Sequence, residues 1–163
     1  MTRIVLASGN AKKLGELRRI LEPLVPGVEV LGLADVDQYD EPAETEPTFE
    51  GNALIKARTA AQVTGLPALA DDSGICVDAL GGMPGVLSAR WSGVPKAEGG
   101  DAANTRLLLA QLADGPDERR GATFRCAMAL VMPDGTEVVE VGEMPGRVLH
   151  GEQGEGGFGY DPL

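Results

Sequence analysis

Asp71 and Asp72 stand side by side between an apolar run, Ala68-Leu69-Ala70, and the pair Ser73-Gly74. A carboxylate placed there can hold Mg²⁺ or take a proton from water. Neighbouring residues of an extended chain point to opposite faces, so one aspartate is expected to face a given site while the other orients a neighbour. A plain polar turn after a short strand is the alternative reading of the same residues. Ser8-Gly9-Asn10-Ala11-Lys12-Lys13 is a second candidate, between an apolar run and leucines at helical spacing. Glycine lets backbone N–H groups approach an anion, and a helix start adds partial positive charge. Lys13 could reach a phosphate, with Glu16 one turn on to pair with it. The spacing is not that of a Walker A loop. An ordinary strand-to-helix turn with a solvated lysine is the other option.

Three further groups carry weaker signals. Residues 35–50 hold seven carboxylates and no base, Glu41, Glu44 and Glu46 among them. Their mutual repulsion would be relieved by a bound cation or by solvent alone. Asn52 and Lys56 are four apart on an expected helix and so share a face, toward a ligand or toward solvent. The run Gly154-Glu155-Gly156-Gly157-Phe158-Gly159 spells G-x-G-x-x-G, but no helix follows and Pro162 comes almost at once, which excludes a dinucleotide fingerprint. What it leaves is a loop with one aromatic, Phe158, able to stack on a base. His150 is the sole histidine, so a catalytic triad or a histidine-rich metal site is disfavoured and a surface position is expected.

These residues need elements to hold them. Arg3 to Ala7 reads as a short buried strand. Leu14, Leu17, Ile20, Leu21 and Leu24 predict a helix that Pro23 and Pro26 close. Val28 to Leu31 predicts a second strand. Thr48 suits an N-cap for a helix from Phe49 to Val63, with Phe49, Ala53, Ala57 and Ala60 on one face and Gly65 at its end. A strand over Ala68 to Ala70 is expected to stop at Asp71 and resume over Ile75 to Val77. Glycines and prolines from Gly81 onward predict a long loop to Gly100, then a helix over Ala102 to Leu112. Ala122 to Met132 and Glu137 to Val141 predict a hairpin around Pro133-Asp134-Gly135. The order points to an α/β fold with a mixed sheet.

The chain has 163 residues, enough for one domain that folds without metal or disulfide. Its net charge is −11, and only 4% of residues are aromatic. Binders of polymeric nucleic acid are usually basic, so that partner is disfavoured, while a small phosphorylated ligand is not. Cys76 and Cys126 each lie in an apolar run and read as buried, reduced thiols. No signal peptide and no run long enough to span a membrane is seen, which makes the cytosol the expected compartment.

Taken in order, the motifs resemble one family. Ser8-Gly9-Asn10 with Lys13 and Glu16, Thr48-Phe49 with Asn52-Ala53 and Lys56-Ala57, and Ala70-Asp71-Asp72-Ser73-Gly74 come first. Gly82-Met83-Pro84-Gly85 with Ser88-Ala89-Arg90, and Gly157-Phe158-Gly159-Tyr160-Asp161-Pro162, complete the set. Each is weak alone; five in register, from Arg3 to Leu163, are specific. The chain is similar to the inosine triphosphate pyrophosphatase family, which removes non-canonical purine nucleoside triphosphates. The resemblance implies a long mixed sheet flanked by helices, two lobes with a central cleft, and a homodimer. It implies hydrolysis of ITP, dITP and XTP to the monophosphate and pyrophosphate with Mg²⁺. By position, Ser8, Gly9, Asn10, Ala11, Lys12 and Lys13 would bind the triphosphate, with Lys56 in support. Glu44 and Asp72 would hold the metal, with Asp72 also the general base. Ser73 would contact substrate, and Phe158, Gly159, Tyr160 and Asp161 would line the base pocket, Phe158 stacking on the purine. Leu149-His150-Gly151-Glu152 lacks the proline-arginine-glycine often found there. The family normally continues beyond the position of Leu163 with a further strand and helix. Residues 1–163 are therefore expected to form a single pyrophosphatase domain without that last segment. The alternatives are a Maf-like pyrophosphatase, disfavoured by Lys12-Lys13 and Asp71-Asp72-Ser73-Gly74, and a nucleotide-binding module without turnover.

Overall fold

Apolar runs alternate with helical repeats along the chain, and the folded elements follow that alternation. The computed structural model describes residues 2–154 and 157–163. In chain order they form β1 (Thr2–Leu6), α1 (Ala11–Leu24), β2 (Val28–Leu31), α2 (Phe49–Thr64) and β3 (Ala68–Val77). Then come α3 (Gly100–Gln111), β4 (Gly121–Val131) and β5 (Glu137–Arg147). One sheet has the order β2-β1-β3-β4-β5. β1 runs parallel to β2 and to β3, with Val5 opposite Ala68 and Leu6 opposite Leu69. β4 and β5 are joined by a tight turn in which the Met132 N–H donates to the Thr136 carbonyl at 2.8 Å, so they run antiparallel. The sheet is mixed and the fold α/β, as the sequence predicts.

The chain divides into two compact units, Met1–Asp72 with Ala127–Val141, and Ser73–Cys126 with Gly142–Leu163. In the first, α1 packs on β2, and Arg18 donates from Nε to the Val30 carbonyl at 2.9 Å. α2 starts where Thr48 Oγ1 accepts the Gly51 N–H at 3.1 Å. It ends at Gly65, whose φ of 65° is left-handed and whose N–H returns to the Ala61 carbonyl. Ala53, Ala57 and Ala60 are wholly buried on its inner face. In the second unit Ile75, Val77, Leu108, Leu112, Ala122, Val148, Tyr160 and Leu163 form the core. There α3 packs on short 3-10 turns over Gly85–Arg90 and Lys96–Glu98, turns that the glycine-rich sequence did not announce.

Three expectations are corrected. Asp71 to Gly74 is not a break between two strands but the interior of β3, which runs unbroken from Ala68 to Val77. The turn preference of Asp, Ser and Gly is local, and here tertiary partners outweigh it. The Ile75 N–H finds Ser88 Oγ at 3.0 Å, and Gly74 leaves room for the Gly85–Arg90 turn. β5 continues past Val141 to Arg147 despite Gly142, Pro145 and Gly146. It is last in the strand order, where proline is tolerated because an edge residue need not donate to a neighbour. The end of α1 agrees with expectation: Pro23 lies in its last turn, and the helix stops at Leu24, ahead of Pro26. Cys76 and Cys126 are half-buried rather than buried, and neither is in a disulfide. Burial pushes the Cys76 thiol pKa up; nearby Arg125 opposes that rise and Glu143 adds to it.

Candidate active site

In the first unit the loop after β1 delivers the chain to the start of α1. Asn10 caps that helix: its Oδ1 accepts the Lys12 N–H at 3.0 Å, and Ser8 Oγ accepts the Asn10 N–H at 3.3 Å. Lys13, in the first turn, reaches across to Asp71 and not along its helix to Glu16. Its Nζ lies 2.5 Å from Asp71 Oδ2. Asp71 is 6% exposed, and the Lys13 ammonium is its ion-pair partner.

Asp72, the next residue of β3, goes to α2. Asn52 Nδ2 donates to Asp72 Oδ2 at 3.0 Å, and Lys56 Nζ stands 3.9 Å from Asp72 Oδ1. Lys56 also donates to Glu44 Oε1 at 2.9 Å. Asn52 uses its other end too, Oδ1 accepting the Glu46 N–H at 2.9 Å, so the loop that carries Glu44 is tied to α2. The expected face of α2 is thus real, and both its polar members converge on Asp72. The acidic stretch without a base of its own finds one in Lys56.

Lys56 marks a place where a cation sits between two carboxylates. Glu44 and Asp72 offer hard oxygen donors, which suits Mg²⁺, an ion that takes one or two carboxylates and completes its shell with water and substrate phosphates. Among the described residues no group of three or more His, Cys, Asp or Glu could hold a metal by itself. Two carboxylates would leave the remaining positions of such an ion to water and a ligand.

The second unit holds a cavity of about 500 Å³. Ser73, Phe124 and Phe158 to Asp161 are among the residues that line it. Phe158 is 44% exposed, with its ring available to a flat partner. Asp161 Oδ2 accepts the Phe158 N–H at 2.8 Å, so this carboxylate shapes the turn that presents the ring. Tyr160 is buried, and its hydroxyl donates to the Ser88 carbonyl at 2.9 Å. Burial raises the Tyr160 phenol pKa well above the ordinary range, and the nearby Asp101 adds to the shift. Glu155 and Gly156 of the glycine-rich run lie outside the described residues.

Sequence reasoning missed Asn104 as part of this wall. It is buried in α3, donates to the Ser88 and Ala89 carbonyls at 3.2 Å each, and accepts the Ser92 N–H at 2.7 Å. An asparagine inside a helix is the signal that could have found it, since that residue type prefers caps and turns. His150 is on the surface as expected, 2.7 Å from Asp117. That contact holds the Asp117 carboxyl pKa below its usual value.

Two relatives of similar sequence carry the same name. The dITP/XTP pyrophosphatase of Nocardia farcinica is 64% identical over 164 residues, which cover all of this chain and 78% of that protein. The dITP/XTP pyrophosphatase of Mycobacterium tuberculosis is 58% identical, with the same coverage. The crystal structure of a nucleoside-triphosphatase / dITP/XTP pyrophosphatase from Mycobacterium abscessus superposes with a TM-score of 0.84 at 57% identity. It covers 99% of this chain and 82% of its own. A HAM1 protein from Coxiella burnetii gives 0.84 at 37% identity, over all of this chain and 81% of its own. The Ham1 family model matches residues 4–163, and the chain belongs to the Ham1 family.

Proposed function

We propose that this protein hydrolyses non-canonical purine nucleoside triphosphates, ITP, dITP and XTP, to the monophosphate and pyrophosphate. The observation that carries the reading is the convergence of Asn52, Lys56 and Glu44 on and around Asp72, in a chain 64% identical to a named dITP/XTP pyrophosphatase. The capped start of α1, with Ser8, Gly9, Asn10, Ala11, Lys12 and Lys13, receives the triphosphate anion. Lys56 balances charge beside it. Glu44 and Asp72 would hold Mg²⁺, which would supply charge neutralisation for the phosphates and acidify water at the site. Asp72 takes the proton from the attacking water, and Asn52 holds the carboxylate by its other oxygen so that it cannot rotate away. One water is consumed, one phosphoanhydride bond breaks, and pyrophosphate leaves. Phe158 stacks on the purine, and Ser73, Gly159, Tyr160 and Asp161 complete the base pocket. Family membership supports a homodimer and a cytosolic location as parts of the same proposal. Among the described residues no helix is long and apolar enough to cross a membrane.

The test is pyrophosphate release from ITP, XTP, dITP, ATP, GTP and dTTP at equal concentration, with and without Mg²⁺, in wild type and Asp72→Asn. Expected are strong preference for the deaminated purines, dependence on Mg²⁺, and a loss of about 10²–10⁴-fold in the variant. Preferential hydrolysis of dTTP would favour a Maf-like activity instead, and no hydrolysis at all would leave a nucleotide-binding module.

A further inference from the structure

Arg120 is the largest side chain in the fully buried set, at 2% exposure. A guanidinium at that depth must place its N–H groups on acceptors or suffer the full cost of desolvation. Here the acceptors are main-chain carbonyls. Nε donates to Val148 at 2.9 Å, Nη1 to Leu112 at 2.9 Å and Nη2 to Leu149 at 2.6 Å. Leu112 is the C-cap of α3, where unsatisfied carbonyls carry partial negative charge that a buried cation can balance. The Arg120 backbone joins in, its carbonyl accepting the Val148 N–H at 2.8 Å.

What Arg120 grips is the root of one loop. Leu149 donates its N–H to the Leu163 carbonyl at 2.8 Å, and Gln153 donates to the Pro162 carbonyl at 2.8 Å. The segment from Leu149 to Leu163 is therefore closed at its neck, and both ends of that neck lie beside the guanidinium's targets. Its described part carries Phe158 and Tyr160 in the cavity wall. A second tether, Tyr160 Oη to the Ser88 carbonyl, holds the far side. The described residues that carry Phe158 are thus tied near Leu149 and Leu163 and again at Tyr160, which limits how the ring is presented.

We propose that Arg120 is a positioning residue for base recognition, one that sets where Phe158 meets the purine and leaves the phosphates untouched. This rests on the reading of the cavity as the base pocket. The fork geometry matters as well as the charge. Lysine keeps the charge but is a point donor and cannot span three carbonyls in one plane.

The experiment compares Arg120→Lys, Arg120→Met and wild type by calorimetric binding in EDTA, where turnover does not intervene. Inosine monophosphate, which has the base, is one probe; inorganic tripolyphosphate, which lacks it, is the other. All three proteins are measured at a temperature where circular dichroism shows each folded. Expected is an increase in Kd for inosine monophosphate of about tenfold in both variants, with Kd for tripolyphosphate within twofold of wild type. Phe158→Ala added to Arg120→Lys should cost far less than it does in wild type, because the ring is already misplaced. Three results would each overturn the proposal: unchanged inosine monophosphate binding in a folded variant, equal loss for both probes, or additivity with Phe158→Ala. Failure of both variants to fold even at 10 °C would also overturn it, making Arg120 a folding residue. If wild type binds inosine monophosphate but releases no pyrophosphate, the hydrolytic reading falls while this comparison still reads out.

Discussion

Breaking the Lys13–Asp71 pair from its two ends should have separable consequences. Lys13→Ala leaves a carboxylate that is 6% exposed without its cation, and stability should drop by about 1–3 kcal/mol. Adding Asp71→Asn removes the stranded charge and should restore part of that loss. The KM for ITP should stay raised about tenfold in both, because the phosphate still lacks its ammonium partner. Urea midpoints and steady-state kinetics on the three variants check this; recovery of KM together with stability would make Lys13 purely structural. The phenols give a pH test. Tyr39 is raised by burial and then Glu41, and Tyr160 by burial and then Asp101. Both should ionise above the ordinary value of about 10. The unfolded chain then releases these protons first, so stability is fully present below about pH 10 and falls as pH rises past it. Phenolate absorbance should rise at higher pH in native protein than in urea. At this scale Asn52 and Lys56 were legible, because four residues along a helix is one face. The partner of Lys13 was not, because Asp71 is 58 residues away and no local pattern selects it over Glu16.

Among the elements, α2 could be read almost to its ends because its start and stop are written in single residues, the Thr48 hydroxyl and the left-handed Gly65. β3 could not, since what keeps it extended through Asp71-Asp72-Ser73-Gly74 is supplied from elsewhere in the chain. Gly74 shows how tight that supply is. A Cβ there would stand 2.5 Å from the Gly85 carbonyl oxygen and nearer still to Ser88 Oγ. Gly74→Ala should therefore displace the Gly85–Arg90 turn and lower stability by about 1–3 kcal/mol. The expected signature is a lower urea midpoint at an unchanged slope. Because Gly74 and Ser88 both line the cavity, base binding should weaken alongside. β5 escaped reading beyond Val141 for the opposite reason. Pro145 argues against a strand in general but not against one at an edge.

For the molecule as a whole, a net charge of −11 confines anion binding to places where donors are built in, such as the start of α1. A fluorescent single-stranded oligonucleotide should show no anisotropy change with this protein at about 0.15 M salt, since a chain of net charge −11 repels the phosphate backbone. A salt-sensitive complex would overturn that. The fold class was legible because the periodicities of the elements alternate. The pairing frame of the sheet was not, and the chemistry depends on it. Asp71 goes to α1 and Asp72 to α2 because successive strand residues face opposite ways, and that assignment is locked by Val5 opposite Ala68. Sliding β3 by one residue against β1 would turn each aspartate to the face the other now holds. A single residue inserted between Ala68 and Asp71 would therefore act as a frameshift in space. It would bring Asp71 to the place that Asp72 holds beside Asn52 and take the carboxylate away from Lys13, with every motif downstream intact.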